Sequence, residues 1–320
     1  MPAEKSVLTI VLNDPDAELY ARLIAGRFPQ VRTIVALTPE YMARYLNEAD
    51  ALLASRFPID LLEHAKKMRW IQWTGAGVDS IMPFRERIGH ITITNARGIH
   101  GDIIADFVMA GVTMLHWNFR QLLRDQAERK WSPRFVAPLA EKTLGVVGLG
   151  AIGATIARRA KSAGMTVVGS KRDVSGLVDC VDRLFAPDAL KEMLPLCDFV
   201  VLALPATATT VGLIGAAEIA RMRRDAFLIN IARGRVIVEA ELIQALDAGT
   251  IAGALLDVFQ QEPLPQGSPL WDMPNVIATP HISGSATNYA ERVFAIFADN
   301  IERFLTGEEL INVVDLARGY

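Results

Sequence analysis

The stretch Thr143–Ala157 constrains this chain more than any other. It reads as a short buried strand, a glycine turn and a helix. Gly148, Gly150 and Gly153 fall on the G-x-G-x-x-G spacing of a dinucleotide-binding βαβ unit. The first glycine permits a tight turn, the second lets the backbone approach a pyrophosphate, and the third lets helix and strand pack closely. The helix that follows points unpaired N–H groups and the positive end of its dipole at phosphates. Three glycines can also make a purely structural turn. The apolar strand before them, the helical run Ile152, Ile156, Ala160 and a second strand at Thr166–Gly169 favour nucleotide binding.

The chain has 320 residues, enough for two domains of ordinary size. Up to about residue 100, apolar strands (Val7–Leu12, Thr33–Leu37, Ala51–Ala54, Trp70–Trp73, Ile91–Thr94) alternate with helical spacing over Ala17–Phe28, Pro39–Leu46 and Leu61–Lys67. Such alternation predicts a parallel sheet covered on both faces. The loop Thr74–Asp79 is either a plain strand–helix turn or a set of backbone N–H groups aimed at an anion. Gly101–Phe119 predicts a long linking helix with Ile104, Val108, Val112 and Leu115 on one stripe. Strands then resume at Leu144–Val147, Thr166–Gly169, Phe199–Leu204, Phe227–Ile231, Gly253–Val258 and Val276–Thr279, the pattern of a doubly wound domain. A last helix over Ala286–Leu305 places Val293, Phe297, Ile301 and Phe304 on one face and stops near Gly307.

Several classes of function are disfavoured. Residues are 51% hydrophobic and 22% charged, with a net charge of −3, so no basic footprint points to nucleic acid. No apolar run approaches a membrane span, and Val7–Leu12, cut off by Asn13-Asp14-Pro15, reads as a strand and not a signal peptide. Cys180 and Cys197 lack metal spacing and suit reduced thiols in a cytoplasmic protein; no metal site is expected. No P-loop, G-x-S-x-G or H-E-x-x-H motif occurs. The polar segment Gln121–Leu139, holding Trp131, Pro133 and Pro138, is long for a connection and reads as an arm packing on a partner subunit.

Seven ordered motifs carry a resemblance. They are Gly75–Asp79, Thr94–Gly98, Gly148–Gly153, Pro205–Thr210, Ile229–Gly234, Leu256–Pro263 and Thr279–Gly284. Over nearly its whole length the chain resembles the D-isomer-specific 2-hydroxyacid dehydrogenases, in particular the NADPH-dependent glyoxylate/hydroxypyruvate reductases. The resemblance implies an α/β fold of two Rossmann-like, doubly wound parallel-sheet domains with the active site in the cleft between them. Residues 1–100 with 283–320 would form the substrate-binding domain, and 101–282 the inserted dinucleotide-binding domain. It also implies a homodimer.

The resemblance assigns the chemistry to Arg233, Glu262 and His281. On residue type alone, Arg233 could equally make a surface salt bridge, His281 could be a satisfied structural residue, and Glu262 an ordinary loop carboxylate. In the family role, the Arg233 guanidinium grips the carboxylate and carbonyl oxygen of a small 2-oxo acid. His281 protonates that oxygen as hydride reaches carbon. Glu262, hydrogen-bonded to the ring, favours the imidazolium. Backbone N–H groups of Gly77 and Val78 would hold the acid. Cofactor contacts are implied for Gly148, Leu149, Gly150, Ala151, Ile152, Gly153, Leu204, Pro205, Thr210, Ile231, Ala232, Arg233, His281, Ser283 and Gly284, with Asp257 reaching the nicotinamide carboxamide.

Which nicotinamide is bound turns on the end of the second strand. NAD-preferring domains place a carboxylate there. This chain has Ser170-Lys171-Arg172, a hydroxyl and two cations suited to a 2′-phosphate, so NADPH is expected over NADH. The other reading has Lys171 and Arg172 facing solvent while Asp173 turns in to the ribose hydroxyls. Two further readings stay open: an NAD-linked D-2-hydroxyacid dehydrogenase, and an NAD(H)-sensing, corepressor-like binding protein, because a fold does not settle a function.

Overall fold

The computed structural model describes residues 7–176 and 178–319. They divide into two compact units. One holds the described residues up to Ile99 together with those from Ala286 onward; the other is His100–Ser285.

The first unit is built on a parallel five-stranded sheet of order β2-β1-β3-β4-β5. Its strands are β1 (Thr9–Asn13), β2 (Arg32–Val35), β3 (Ala51–Ala54), β4 (Trp70–Trp73) and β5 (Thr92–Thr94). Every residue of β3 and β4 is buried, as expected of central parallel strands covered on both faces. The helices Ala17–Arg27 and Tyr289–Thr306 share one core with Ile10, Leu12, Leu53 and Trp70. Trp70 packs its ring 5.2 Å from that of Phe297. A buried polar chain threads the same place: Trp70 Nε1 donates to Thr94 Oγ1, and Thr94 Oγ1 donates to Gln72 Oε1, each at 2.8 Å. Asn300 Nδ2 reaches the same Gln72 oxygen at 3.3 Å. Gly307, at φ 76°, ends the last helix in the left-handed conformation that favours glycine.

One expected helix is a different element. Leu61–Lys67 gives way to a 3₁₀ turn at Ile59–His64. Ile59 and Leu62 both meet the core, and a spacing of three suits three residues per turn better than an α-helix.

The second unit carries a parallel seven-stranded sheet of order β12-β11-β10-β9-β6-β7-β8. Its strands are β6 (Thr143–Val147), β7 (Thr166–Ser170), β8 (Arg183–Phe185), β9 (Phe199–Leu202), β10 (Phe227–Asn230), β11 (Gly253–Leu256) and β12 (Val276–Ala278). The order reverses between β6 and β9, which opens a crevice at the carboxyl ends of the strands. The edge strand β8 was not among the expected six: of its three residues only Phe185 is buried, so it leaves no apolar run to read.

The long helix ends at His116, short of the expected Phe119. Asn118 breaks it at φ 50° and caps the next helix, Phe119–Ala127, accepting from Gln121 N at 3.3 Å. Asparagine tolerates the left-handed conformation and is a preferred cap, so this break follows from its chemistry. The expected arm is therefore part helix, and beyond it Trp131 and Phe135 are almost fully exposed (96% and 98%). The division after Ser285 also differs from the expected 282/283 boundary, because Ser283 N donates to Asp257 Oδ2 within the second unit at 2.9 Å. Among the described residues, no helix is long and apolar enough to cross a membrane.

Candidate active site

Two sets of residues leave the second sheet at its carboxyl edge. The first begins at Gly148, which adopts φ 97° as β6 turns away. A Cβ there would lie 2.5 Å from Ala203 O, and one on Gly153 only 2.0 Å from Gly148 O. Packing within the chain thus requires both glycines. Gly150 is different: a Cβ there would meet nothing within 4 Å. Its smallness serves the close approach of an external group, which is the fit expected of a pyrophosphate above the amino end of the helix Ala151–Ser162. Leu149 folds over Gly169, where a Cβ would come within 2.5 Å of Leu149 Cδ1. Ala151 is exposed and Ile152 half-buried on the helix's first turn.

The register aligns Val147 with both Ser170 and Leu202, so the glycine turn, the end of β7 and the Leu204-Pro205 loop emerge side by side. Ser170 is buried, Lys171 half-buried and Arg172 exposed. Asp173 Oδ1 accepts from Ser175 Oγ at 2.5 Å and from Ser175 N at 3.0 Å. Those two bonds hold its carboxyl below the ordinary aspartate range. The Thr210 hydroxyl donates to Pro205 O at 2.6 Å and accepts from Thr207 N at 2.7 Å, so it shapes this loop.

The second set sits on three neighbouring strands. Asn230 pairs with Leu256, and Leu256 with Ala278, so Arg233, Asp257 and His281 leave β10, β11 and β12 at one level. Ile231 and Ala232 are buried beneath this edge. Asn230 holds the turn: its Oδ1 accepts from Ala232 N at 3.0 Å and its Nδ2 donates to Arg233 O at 3.1 Å. Arg233 is half-buried, with Nη1 donating to Ala232 O at 2.6 Å. A Cβ on Gly234 would fall 1.9 Å from the Phe259 carbonyl carbon, so only glycine lets this turn lie against the following loop.

That loop bears Glu262. Its Oε1 accepts from Phe259 N at 3.0 Å and its Oε2 meets His281 Nδ1 at 2.7 Å. An ionised carboxylate only accepts, so Nδ1 carries the proton and Nε2 is left for a substrate. With side chains 48% and 36% exposed, the pair adds little stability, about 0–1 kcal/mol for a surface ion pair. Its effect is to orient the ring.

Asp257, expected to reach the nicotinamide carboxamide, is fully buried and bonded to the His281 loop. Oδ1 accepts from Thr279 Oγ1 at 2.6 Å and Ile282 N at 2.9 Å, and Oδ2 from Ser283 N at 2.9 Å. Three of about four acceptor positions are thereby filled. His281 itself sits at φ 53°, held by donating its N–H to Asp257 O and Thr279 O. A non-glycine residue in that region persists only where its surroundings enforce it. Gly284 lies beside His100, whose Cδ2 would be 3.2 Å from a Cβ.

Gly77 and Val78 belong to the other unit. The Val78 side chain is buried in its core. Their loop is anchored by Asp14 and Tyr289, outside the motifs, and by Asn95 of the Thr94–Gly98 motif. Thr74 Oγ1 donates to Asp14 Oδ2 at 3.0 Å, Tyr289 OH to Thr74 O at 2.8 Å, and Asn95 Nδ2 to Ala76 O at 2.7 Å. Burial pushes the Tyr289 phenol up to about 12, so it stays a donor at neutral pH.

Comparison with known proteins agrees with this geometry. Residues 109–283 match the family described as D-isomer specific 2-hydroxyacid dehydrogenase, NAD binding domain. The chain is 32% identical over 97% of its length to D-3-phosphoglycerate dehydrogenase of Methanocaldococcus jannaschii, and spans 60% of that longer protein. It is 34% identical to glyoxylate/hydroxypyruvate reductase A of Salmonella typhi, covering 86% of this chain and 88% of that one. An NADPH-dependent glyoxylate/hydroxypyruvate reductase from Sinorhizobium meliloti, solved with NADP and sulfate, superposes with a TM-score of 0.89 at 28% identity, over 98% of this chain and 100% of that one. Motifs, sheet order and relatives converge, and the chain belongs to the D-isomer specific 2-hydroxyacid dehydrogenases, a family of NAD(P)-dependent oxidoreductases.

Proposed function

We propose that this protein reduces a small 2-oxo acid, of the size of glyoxylate or hydroxypyruvate, to the D-2-hydroxy acid with NADPH. The observation that carries the reading is the Glu262–His281 bond of 2.7 Å, on a residue whose backbone is held at φ 53° at the sheet edge. The bound nicotinamide supplies a hydride to the carbonyl carbon. Arg233 pairs its planar fork with the substrate carboxylate, which fixes the carbonyl in place. His281 delivers a proton from Nε2 to the carbonyl oxygen, so the product hydroxyl is neutral when formed. Glu262 fixes the ring through Nδ1, and Asp257 fixes the backbone beneath it. Gly77 and Val78 are the first unit's candidates for holding the acid.

The preference for NADPH is supported by Ser170, Lys171 and Arg172 at the end of β7 and by the engagement of Asp173 with Ser175. Engagement of Oδ1 within its own turn counts against Asp173 as the partner of ribose hydroxyls. The names of the Salmonella and Sinorhizobium relatives point the same way on substrate, and the latter on cofactor. The exposed Trp131 and Phe135 support an arm that packs on a second copy. Two free cysteines suit a reducing compartment such as the cytoplasm.

The test is steady-state oxidation of NADPH and of NADH against glyoxylate, hydroxypyruvate and bulkier 2-oxo acids. A higher kcat/KM with NADPH on the small acids is expected. Preference for NADH would overturn the cofactor assignment, and no turnover of any acid would overturn the reductase.

A further inference from the structure

The amino-terminal edge of the second sheet, opposite the edge that bears His281, borders a cavity of about 320 Å³. That volume is at the small end of the range for small-molecule sites, about 300–1,000 Å³. Phe227, the first residue of β10, and Ile277 of β12 give it an apolar side. A four-residue parallel strand spans roughly 13 Å, so this cavity is separate from the catalytic edge.

The helix Phe119–Ala127 supplies the other side, with Arg120 and Arg124 one turn apart and both half-buried. Residues at this spacing face the same way, and like charges so placed repel. Nothing in the cavity offsets them: among the described residues no acidic side chain lines it. Asp125, the nearest acid in sequence, is turned to Arg134 at 2.9 Å and Gln121 at 2.8 Å. Among the described residues, Arg120 uses Nη1 alone on protein acceptors, the carbonyls of Met273 (2.8 Å) and Val276, with its Nε–Nη2 edge left over. Burial first, and the Arg124 charge second, lower the Arg120 pKa, the direction expected of a cation short of a counter-charge. Asn275, just before β12, adds an amide to the lining.

We propose that this cavity binds a small organic oxyanion, a carboxylate or phosphate with a short apolar body, between Arg120 and Arg124. Each guanidinium can direct two N–H groups at two oxygens of either group, and the apolar side accommodates the remainder. The site is independent of the reductase reading, since none of its residues belongs to the catalytic edge.

Calorimetric titration tests it on the full chain, in an Arg233→Gln background with saturating NADP, so that anion capture at the catalytic edge and the glycine turn is suppressed. Butyrate and propyl phosphate, each an oxyanion on a short apolar body, serve as probes and separate the carboxylate from the phosphate source. At least one should bind, and Arg124→Gln should weaken it about tenfold or more, a change of about 1.4 kcal/mol. Arg124→Lys should restore part of the loss. Failure of both probes to bind at millimolar concentration, or equal affinity in Arg124→Gln, overturns the proposal. So does a change in sedimenting mass on Arg124→Gln, which would make the cavity part of an interface between copies.

Discussion

At the scale of single residues, the edge of the candidate site depends on one buried carboxylate as much as on the exposed Glu262–His281 pair. Asp257 gathers Thr279, Ile282 and Ser283 and so fixes the strained backbone of His281 between them. Asp257→Asn replaces an acceptor by an amide that turns hydrogens toward N–H groups. Leaving a buried donor unsatisfied costs about 1–3 kcal/mol. The variant is expected to unfold at correspondingly lower urea and to lose turnover with it. An unchanged midpoint would show that the loop holds its shape without the carboxylate. The motif around Asp257 was plain in the sequence, but its direction was not: its partners lie more than twenty residues away, and only the folded backbone shows that they face it. Arg233, Glu262 and His281 were legible because each follows a strand within a recognisable run. The roles of Asn230, Asp14 and Tyr289 were not, since they act through bonds to neighbouring turns and loops that a motif does not record.

At the scale of elements, legibility followed burial. The strands β3 and β4 were read to the residue because β3 is a continuous apolar run and β4 is apolar but for the buried Gln72. The edge strand β8, half-exposed and three residues long, had no such signature. It is tied in by an ionic clasp instead. Lys161, from the helix Ala151–Ser162, donates to both oxygens of Asp182 at 2.5 and 2.7 Å, and Val167 N of β7 donates to Oδ2 at 2.8 Å. The lysine bond first and the backbone bond second hold the Asp182 carboxyl below its ordinary range. A lowered folded-state pKa contributes stability that is present above the ordinary aspartate value, about 3.9, and is lost as pH falls through the lowered one. Asp182→Asn should therefore have a lower urea midpoint than the parent at neutral pH, and the gap should close in acid. A gap that stays constant down to the acid limit would show that the clasp acts by packing and not by charge. Gly234 illustrates the reverse relation between element and residue: it has no side chain to act with, yet its turn lies so close to Phe259 that a methyl group would displace the loop carrying Glu262.

At the scale of the whole molecule, each unit is a parallel sheet with its own core. The first is closed by the returning carboxyl-terminal helix, whose Asn300 joins the buried chain of Gln72, Thr94 and Trp70. The second presents two nearly bare aromatic rings, Trp131 and Phe135, on the segment after the helix Phe119–Ala127. In the proposed dimer these two rings would be covered by the second copy. Sedimentation velocity is expected to give the mass of a dimer for the parent, and of a monomer when both rings are replaced by aspartate. A monomeric parent, or a variant that keeps the dimer mass, would remove the second copy from the proposal.

The central claim is that His281, oriented by Glu262, supplies the proton for carbonyl reduction. The most direct measurement is the turnover of glyoxylate with NADPH by His281→Ala, alongside a fluorescence titration of NADPH binding. Loss of a positioned general acid is expected to lower kcat by roughly 10²–10⁴ while cofactor affinity stays near that of the parent. A variant that binds NADPH and reduces glyoxylate at the parent rate would contradict the mechanism.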